Sequence, residues 1–186
     1  MDDGTKGGST MMRILAIGAP LWAGAVQADI SVKTVTSPGG LSAWVLEEAA
    51  IPFTALNIMF SGGAALDPPD KHGAAFMMTG LLEEGAGDLD SQAFGAAKEA
   101  LSASFSFDVS DDTLSNSVRV LTENQAEALA LLKTALMEPR FDPDAVERVR
   151  QQVLSILASN AQDPTDIAQR VRAEQAFGDH AYGTDY

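Results

Sequence analysis

The apolar residues of this chain change their spacing along the sequence, and this change limits the folds open to it. Between residues 30 and 60, and again between 103 and 121, apolar side chains alternate with polar ones, as in strands with one buried face. Elsewhere they recur every three or four residues, as on one face of a helix. The resulting order is three strands, two helices, two strands and three helices. This order predicts an α+β domain with a largely antiparallel sheet packed against helices.

The predicted strands are separated by residues that favour turns. Residues 31–35 and 42–46 flank Ser37-Pro-Gly-Gly40 and predict a hairpin. Residues 54–60 are longer and more apolar, which is typical of a central strand. Residues 103–109 place two phenylalanines on one face, and residues 114–121 return after Ser110-Asp-Asp112.

The predicted helices cover residues 73–84, 92–101 and 123–137, followed by two that begin at Asp-Pro pairs. Ser91 is the expected N-cap of the second helix. Asp142-Pro143 and Asp163-Pro164 each combine an N-cap residue with proline at the first helical position. The helix after Pro143 has one apolar stripe expected to be buried, formed by Val146, Val149, Val153, Ile156 and Leu157.

The charge and cysteine content exclude several classes of function. The chain has 26 acidic and 12 basic residues, a formal net charge of −14, so a basic surface for nucleic acid is not expected. It has no cysteine, which excludes disulfides, thiol nucleophiles and thiolate metal ligands.

The N-terminal residues predict export. Met11-Met12-Arg13 precedes an apolar run over residues 14–26, and small residues end at Ala28. This pattern predicts a signal peptide over residues 11–28, cleaved after Ala28, and a periplasmic protein, with residues 1–10 as a leader or tag. The alternative is a buried segment of the mature domain. The run is too short to cross a bilayer comfortably, so no membrane anchor is expected.

Residues 71–85, Lys71-His-Gly-Ala-Ala-Phe-Met-Met-Thr-Gly-Leu-Leu-Glu-Glu-Gly85, resemble the signature helix of the pitrilysin/insulinase zinc peptidases. Residues 87–94, Phe141-Asp-Pro-Asp144 and His180-Ala-Tyr-Gly183 resemble later segments of that family, in the same order. The resemblance implies that residues 29–186 are a truncated first domain of this family, similar to that of the mitochondrial processing peptidase.

The resemblance also implies that the metal site is lost. Active members carry H-x-x-E-H on the signature helix, where two histidines bind zinc and the glutamate acts as the base. The positions of these three side chains hold Ala75, Met78 and Thr79, and a distal glutamate ligand is replaced by Ser155 or Ile156. None of these side chains suits a zinc ion, so no metal ligand and no catalytic residue is expected.

Three other features of this region leave alternatives open. His72 is expected to be a solvated or capping histidine rather than a displaced ligand. Glu83 and Glu84 are expected to be exposed charges before a helix terminator at Gly85-Ala-Gly87, rather than an acid–base pair. Met77 and Met78 are expected to fill the core.

In active members, substrate peptide adds as a strand to a sheet edge. The corresponding residues here are Ser104, Phe105, Ser106, Phe107 and Asp108. Because Phe105-Ser106 replaces the family's Asn-Ala pair, an internal strand without peptide contacts is the favoured interpretation.

The resemblance implies a non-catalytic subunit of a heterodimeric zinc peptidase. Such a subunit completes a chamber with a catalytically intact homologue, which holds the zinc, and assists in handling peptide or unfolded polypeptide. One alternative is a stand-alone peptide-binding or scaffold protein with the same fold. Another is a hydrolase with an unrelated site.

Overall fold

The computed structural model describes residues 31–183, which fall into two units that divide after Glu48. The first described unit is an antiparallel hairpin of β1 (Val32–Thr36) and β2 (Ser42–Leu46), in which Thr34 lies opposite Trp44. The predicted signal peptide and leader lie outside the described residues. No helix between residues 31 and 183 is long and apolar enough to cross a membrane.

The second unit contains the other strands and the helices. Its strands are β3 (Phe53–Ser61), β4 (Gly85–Ala86), β5 (Leu89–Asp90), β6 (Ser104–Val109) and β7 (Thr113–Leu121). Its helices are α1 (Ala74–Leu81), α2 (Ser91–Ala100), α3 (Gln125–Met137), α4 (Pro143–Asn160) and α5 (Pro164–Phe177). The element order is the one predicted, with the short strand pair β4–β5 added between the first two helices.

The main sheet of the described residues has the antiparallel order β3-β7-β6. The prediction that residues 54–60 form a central strand is therefore wrong, because β7 lies in the middle and β3 at one edge. The apolar content of β3 arises instead because its exposed face also carries large side chains, Phe53 and Met59. Composition alone does not distinguish such a strand from one with neighbours on both sides.

Two apolar clusters hold the second unit together. The larger lies where the inner face of β6 and β7 packs against α2 and α3, around Phe94, Phe105, Val118 and Leu132. The smaller joins α1 to α4 through Leu81, Ala145 and Val149. The apolar stripe of α4 was predicted to be buried along its whole length, but Ile156 and Leu157 are 47% and 37% exposed. Within the described residues, helix periodicity identified the stripe but not how far its partner surface extends.

The ends of the helices differ from prediction in three places. Asp90, not Ser91, caps α2, since its Oδ1 accepts the Ala93 N–H at 2.8 Å. Asp142 precedes α4, but its carboxylate accepts from Arg140 and makes no cap hydrogen bond to the helix. Residues 85 and 86 form β4 instead of a helix terminator, because α1 already ends at Leu81. Asp163 caps α5 as predicted.

Candidate functional site

Helix α1 carries the three signature positions, Ala75, Met78 and Thr79. Thr79 is buried, and its hydroxyl donates to the Phe76 carbonyl oxygen at 2.7 Å. Ala75 and Met78 are half-buried and line one wall of a cavity. Thus two of the three signature positions face a largely apolar cavity, and the third, Thr79, is buried and does not line it.

This cavity, the α1–β6 cavity, has a volume of about 360 Å³ and lies between α1, the turn after β3 and the adjoining ends of β6 and β7. Its large lining side chains are Leu66, Met78, Val109 and Leu114. Among its lining residues Asp67 is the one acid, and its Oδ1 accepts the Ala75 N–H at 3.1 Å. No local pattern in the sequence links Asp67 to the start of α1.

The position of the distal ligand lies elsewhere. Ser155 is exposed, and Ile156 lines a second groove together with Phe76 and Met77. Within residues 31–183 no group of three histidine, aspartate or glutamate side chains is placed to hold a metal ion. A thioether, methyl groups and one carboxylate engaged by a backbone amide do not fit zinc, which prefers histidine, thiolate and free carboxylate ligands. That the chain binds no zinc stays a prediction.

Strand β6 lies at the other edge of the described sheet. The expectation of an internal strand is therefore wrong, because among the described residues β6 pairs with β7 only. The side chains of Phe105-Ser106 do not determine how many neighbours the strand has. Phe105 and Phe107 point into the core and are 6% and 8% exposed. The other three residues of the predicted peptide-binding segment, Ser104, Ser106 and Asp108, lie on the opposite face, where the Ser106 hydroxyl donates to Asp108 at 2.7 Å.

The register of β6 on β7 identifies the backbone groups at its open edge. The backbone N–H of Ser110 donates to the Thr113 carbonyl oxygen at 2.8 Å, so these two residues at the turn form a hydrogen-bonded pair of the ladder. Hydrogen-bonded and non-bonded pairs alternate along an antiparallel ladder. The N–H and C=O groups of Phe105, Phe107 and Val109 therefore point away from β7, and no backbone partner reaches them from the described residues.

The remaining candidate residues have structural surroundings. His72 is exposed and does not cap α1, where Asp67 meets the first turn instead. Met77 packs against the smaller apolar cluster, as expected, whereas Met78 lines the α1–β6 cavity.

The prediction that Glu83 and Glu84 are exposed charges is wrong, because both are half-buried. Glu83 accepts from Lys98, and Glu84 accepts from Arg148 and from the Ser91 hydroxyl. Burial raises the pKa of Glu84, but hydrogen bonds from Arg148 and Ser91 outweigh it and hold that pKa below its ordinary value. Both carboxylates are held in ion pairs, so neither is arranged as a member of an acid–base pair.

These features can be compared with known proteins. The family model described as insulinase (peptidase family M16) matches residues 44–185. The chain belongs to the insulinase family. The family and fold predicted from the signature helix are therefore confirmed.

The relatives of this insulinase-family chain include proteins named as inactive. The non-peptidase homolog YmxG of Helicobacter pylori (strain ATCC 700392 / 26695) is 28% identical over 131 residues, which are 70% of this chain and 30% of that protein. The peptidase M16 inactive domain from Pseudomonas fluorescens has a TM-score of 0.77 and 25% identity, over 84% of this chain and 38% of that one. These names agree with the prediction of a degenerate, non-peptidase member of the family.

A protease from Helicobacter pylori has the same fold, with a TM-score of 0.72 and 16% identity. The match covers 83% of this chain and 37% of that one. The insulinase-family chain thus spans between 30% and 38% of the length of these relatives.

Proposed function

We propose that this chain belongs to a non-catalytic subunit that assists a zinc-bearing homologue in handling polypeptides in the periplasm. The observation that carries the proposal is the combination of a signature helix without metal ligands and an open strand edge beside it. The first feature removes the chemistry of hydrolysis. The second retains a means of holding an extended chain.

The loss of hydrolysis follows from the side chains of α1. Peptide hydrolysis by zinc requires ligands that hold the ion and a base that takes a proton from the bound water. A methyl group at Ala75 and a thioether at Met78 provide neither. Thr79 offers a hydroxyl, but it is buried and bonded to its own helix.

Peptide holding is supported by the open edge of β6. Three residues, Phe105, Phe107 and Val109, present backbone donors and acceptors along one line, and these have no backbone partner within residues 31–183. An added strand uses such groups without regard to its sequence, which suits a protein that handles varied polypeptides. The partner we propose is a catalytically intact homologous subunit that supplies the zinc and completes a chamber around the bound chain.

A stand-alone peptide-binding or scaffold protein is the second candidate. The open edge of β6 favours it as well, because strand addition needs only this chain. The two candidates differ in whether an active homologue is stimulated.

The test measures metal content and peptidase activity of the full-length protein, alone and mixed with an intact H-x-x-E-H homologue from the same organism. We expect no bound zinc and no activity alone, and higher activity of the homologue on mixing. Peptide binding without stimulation would support the stand-alone candidate. One equivalent of zinc with chelator-sensitive activity alone would contradict both candidates, because Ala75, Met78 and Thr79 would then not be the ligand positions.

A pair of proline variants connects the stimulation to β6. Val109→Pro removes a backbone donor at the open edge of β6 without removing a bond to β7, since Val109 belongs to a non-bonded pair. Met59→Pro makes the same change at the opposite edge of the sheet, on β3. We expect Val109→Pro to reduce stimulation and Met59→Pro to leave it unchanged. Equal effects of the two variants would contradict a role for β6.

A further inference from the structure

The α1–β6 cavity is continuous with the open edge of β6. Val109 is the last residue of β6, and its backbone groups point to the open edge while its side chain lines the cavity. Leu114, its partner across the ladder, also lines the cavity. A strand added to β6 therefore passes the mouth of this cavity.

The lining of the cavity is suited to one kind of side chain. Leu66, Met78, Val109 and Leu114 provide apolar walls. The carboxylate of Asp67 already accepts the Ala75 N–H. The volume of about 360 Å³ lies at the lower end of the roughly 300–1,000 Å³ found for ligand pockets.

We propose that the α1–β6 cavity receives one apolar side chain, aliphatic or aromatic, from an extended peptide bound along β6. The inference rests on the peptide handling proposed above and adds a preference to it. Side chains of an added strand point alternately to its two faces, so every second one lies on the side of α1. Ala75 and Met78, which take the positions of a zinc ligand and of the base in active homologues, thus line a selective contact for an apolar residue.

The first experiment uses fluorescently labelled peptides of one extended sequence that differ at a single central residue: Leu, Phe, Asp or Lys. Their dissociation constants for the full-length protein are measured by fluorescence anisotropy. We expect the Leu and Phe peptides to have dissociation constants at least about tenfold lower than that of the Asp peptide. The reason is that the Leu and Phe side chains remove apolar surface from water in the cavity, whereas the Asp side chain does not. A peptide with N-methylated backbone amides serves as the control for strand addition and is expected not to bind.

The second experiment changes the wall of the cavity. Met78→Lys places an ammonium group in the cavity, and we expect it to weaken binding of the Leu peptide and to strengthen binding of the Asp peptide. Met137→Lys is the matched control, because Met137 is 71% exposed on α3. Circular dichroism tests whether both variants are folded. If Met78→Lys does not fold, the peptide series on the unaltered protein still tests the proposal.

The outcomes separate this inference from the proposed function. Equal affinity for all four peptides, abolished by N-methylation, would leave peptide handling intact and overturn the apolar pocket. Tightest binding of the Lys peptide would overturn it in favour of a cation contact with Asp67. Binding of none of the peptides would overturn peptide handling, and the pocket with it.

Discussion

At the residue scale, the centre of β7 carries a buried amide side chain without hydrogen-bond partners among the described residues. Asn116 is 1% exposed and lies between Ile58 on β3 and Phe107 on β6. Neither its Oδ1 nor its Nδ2 has a hydrogen-bond partner among the described residues. A buried amide without partners lowers stability, because it loses its bonds to water and gains none in return.

This arrangement predicts that Asn116→Leu stabilises the protein. The substitution removes the unsatisfied amide and keeps the branched shape and the number of non-hydrogen atoms, so we expect the free energy of unfolding to rise by about 1–2 kcal/mol. Urea denaturation followed by circular dichroism measures the change. Asn57→Leu, at an exposed position of β3, is the control and is expected to have little effect. A loss of stability in Asn116→Leu would show that the amide serves a partner, such as a buried water or a bound ligand.

At the scale of elements, one carboxylate joins three helices. Glu84 follows α1, accepts from Ser91 at 2.6 Å at the start of α2, and accepts from Arg148 on α4. Its side chain is 18% exposed, so the ion pair is partly shielded from solvent. These bonds fix the ends of α1 and α2 against α4, on which α1 also packs through Leu81 and Val149.

The lowered pKa of Glu84 predicts a pH-dependent contribution to stability. A depressed folded-state pKa means stabilisation that is complete above the unfolded-state pKa and is lost as the pH falls through the folded-state pKa. We expect Glu84→Gln to lower the free energy of unfolding by about 1 kcal/mol at pH 7, and the difference from the unaltered protein to disappear in acid. Urea titrations at several pH values measure this.

The matched control is Glu147→Gln. Glu147 lies on α4 and meets Arg150 at 3.5 Å in an exposed pair, so its replacement is expected to have little effect at any pH. If Glu84→Gln lowers the free energy of unfolding by the same amount in acid as at pH 7, packing and not ionisation of Glu84 makes the contribution to stability.

At the scale of the whole molecule, the described residues leave large apolar side chains exposed on the last two helices. They are 36–50% exposed and comprise Leu154, Ile156 and Leu157 on α4, and Ile167, Val171 and Phe177 on α5. Exposed apolar patches of this kind are typical of interaction surfaces or of aggregation.

This surface predicts self-association or dye binding by the chain. We expect the double variant Leu154→Gln/Ile156→Gln to bind less of a hydrophobic dye and to self-associate less than the unaltered chain. Because both side chains are nearly half exposed, its free energy of unfolding is expected to change by no more than about 1 kcal/mol. Dye fluorescence, sedimentation and urea denaturation measure the three quantities. A loss of several kcal/mol would show that these residues are buried in the protein in solution.

Features that depend on local spacing and on side-chain identity could be predicted from the amino-acid sequence. Alternating residues gave the strands, helical spacing and Asp-Pro pairs gave the helices, and the segment from Lys71 to Gly85 gave the family. The absence of zinc ligands at Ala75, Met78 and Thr79 also follows from identity alone. Each of these inferences needs only residues close together in the chain.

Features that depend on contacts between distant segments of the chain become visible only in the folded structure. Among the described residues β6 pairs only with β7, which places it at the edge of the sheet. The α1–β6 cavity joins Leu66, Met78 and Val109 from three segments. The bond between Glu84 and Arg148 spans 64 positions of the chain, and the isolation of Asn116 arises from its neighbours on two other strands. Local propensity contains no information on such contacts, because the packing of apolar faces and the register between strands are set only when the whole unit folds.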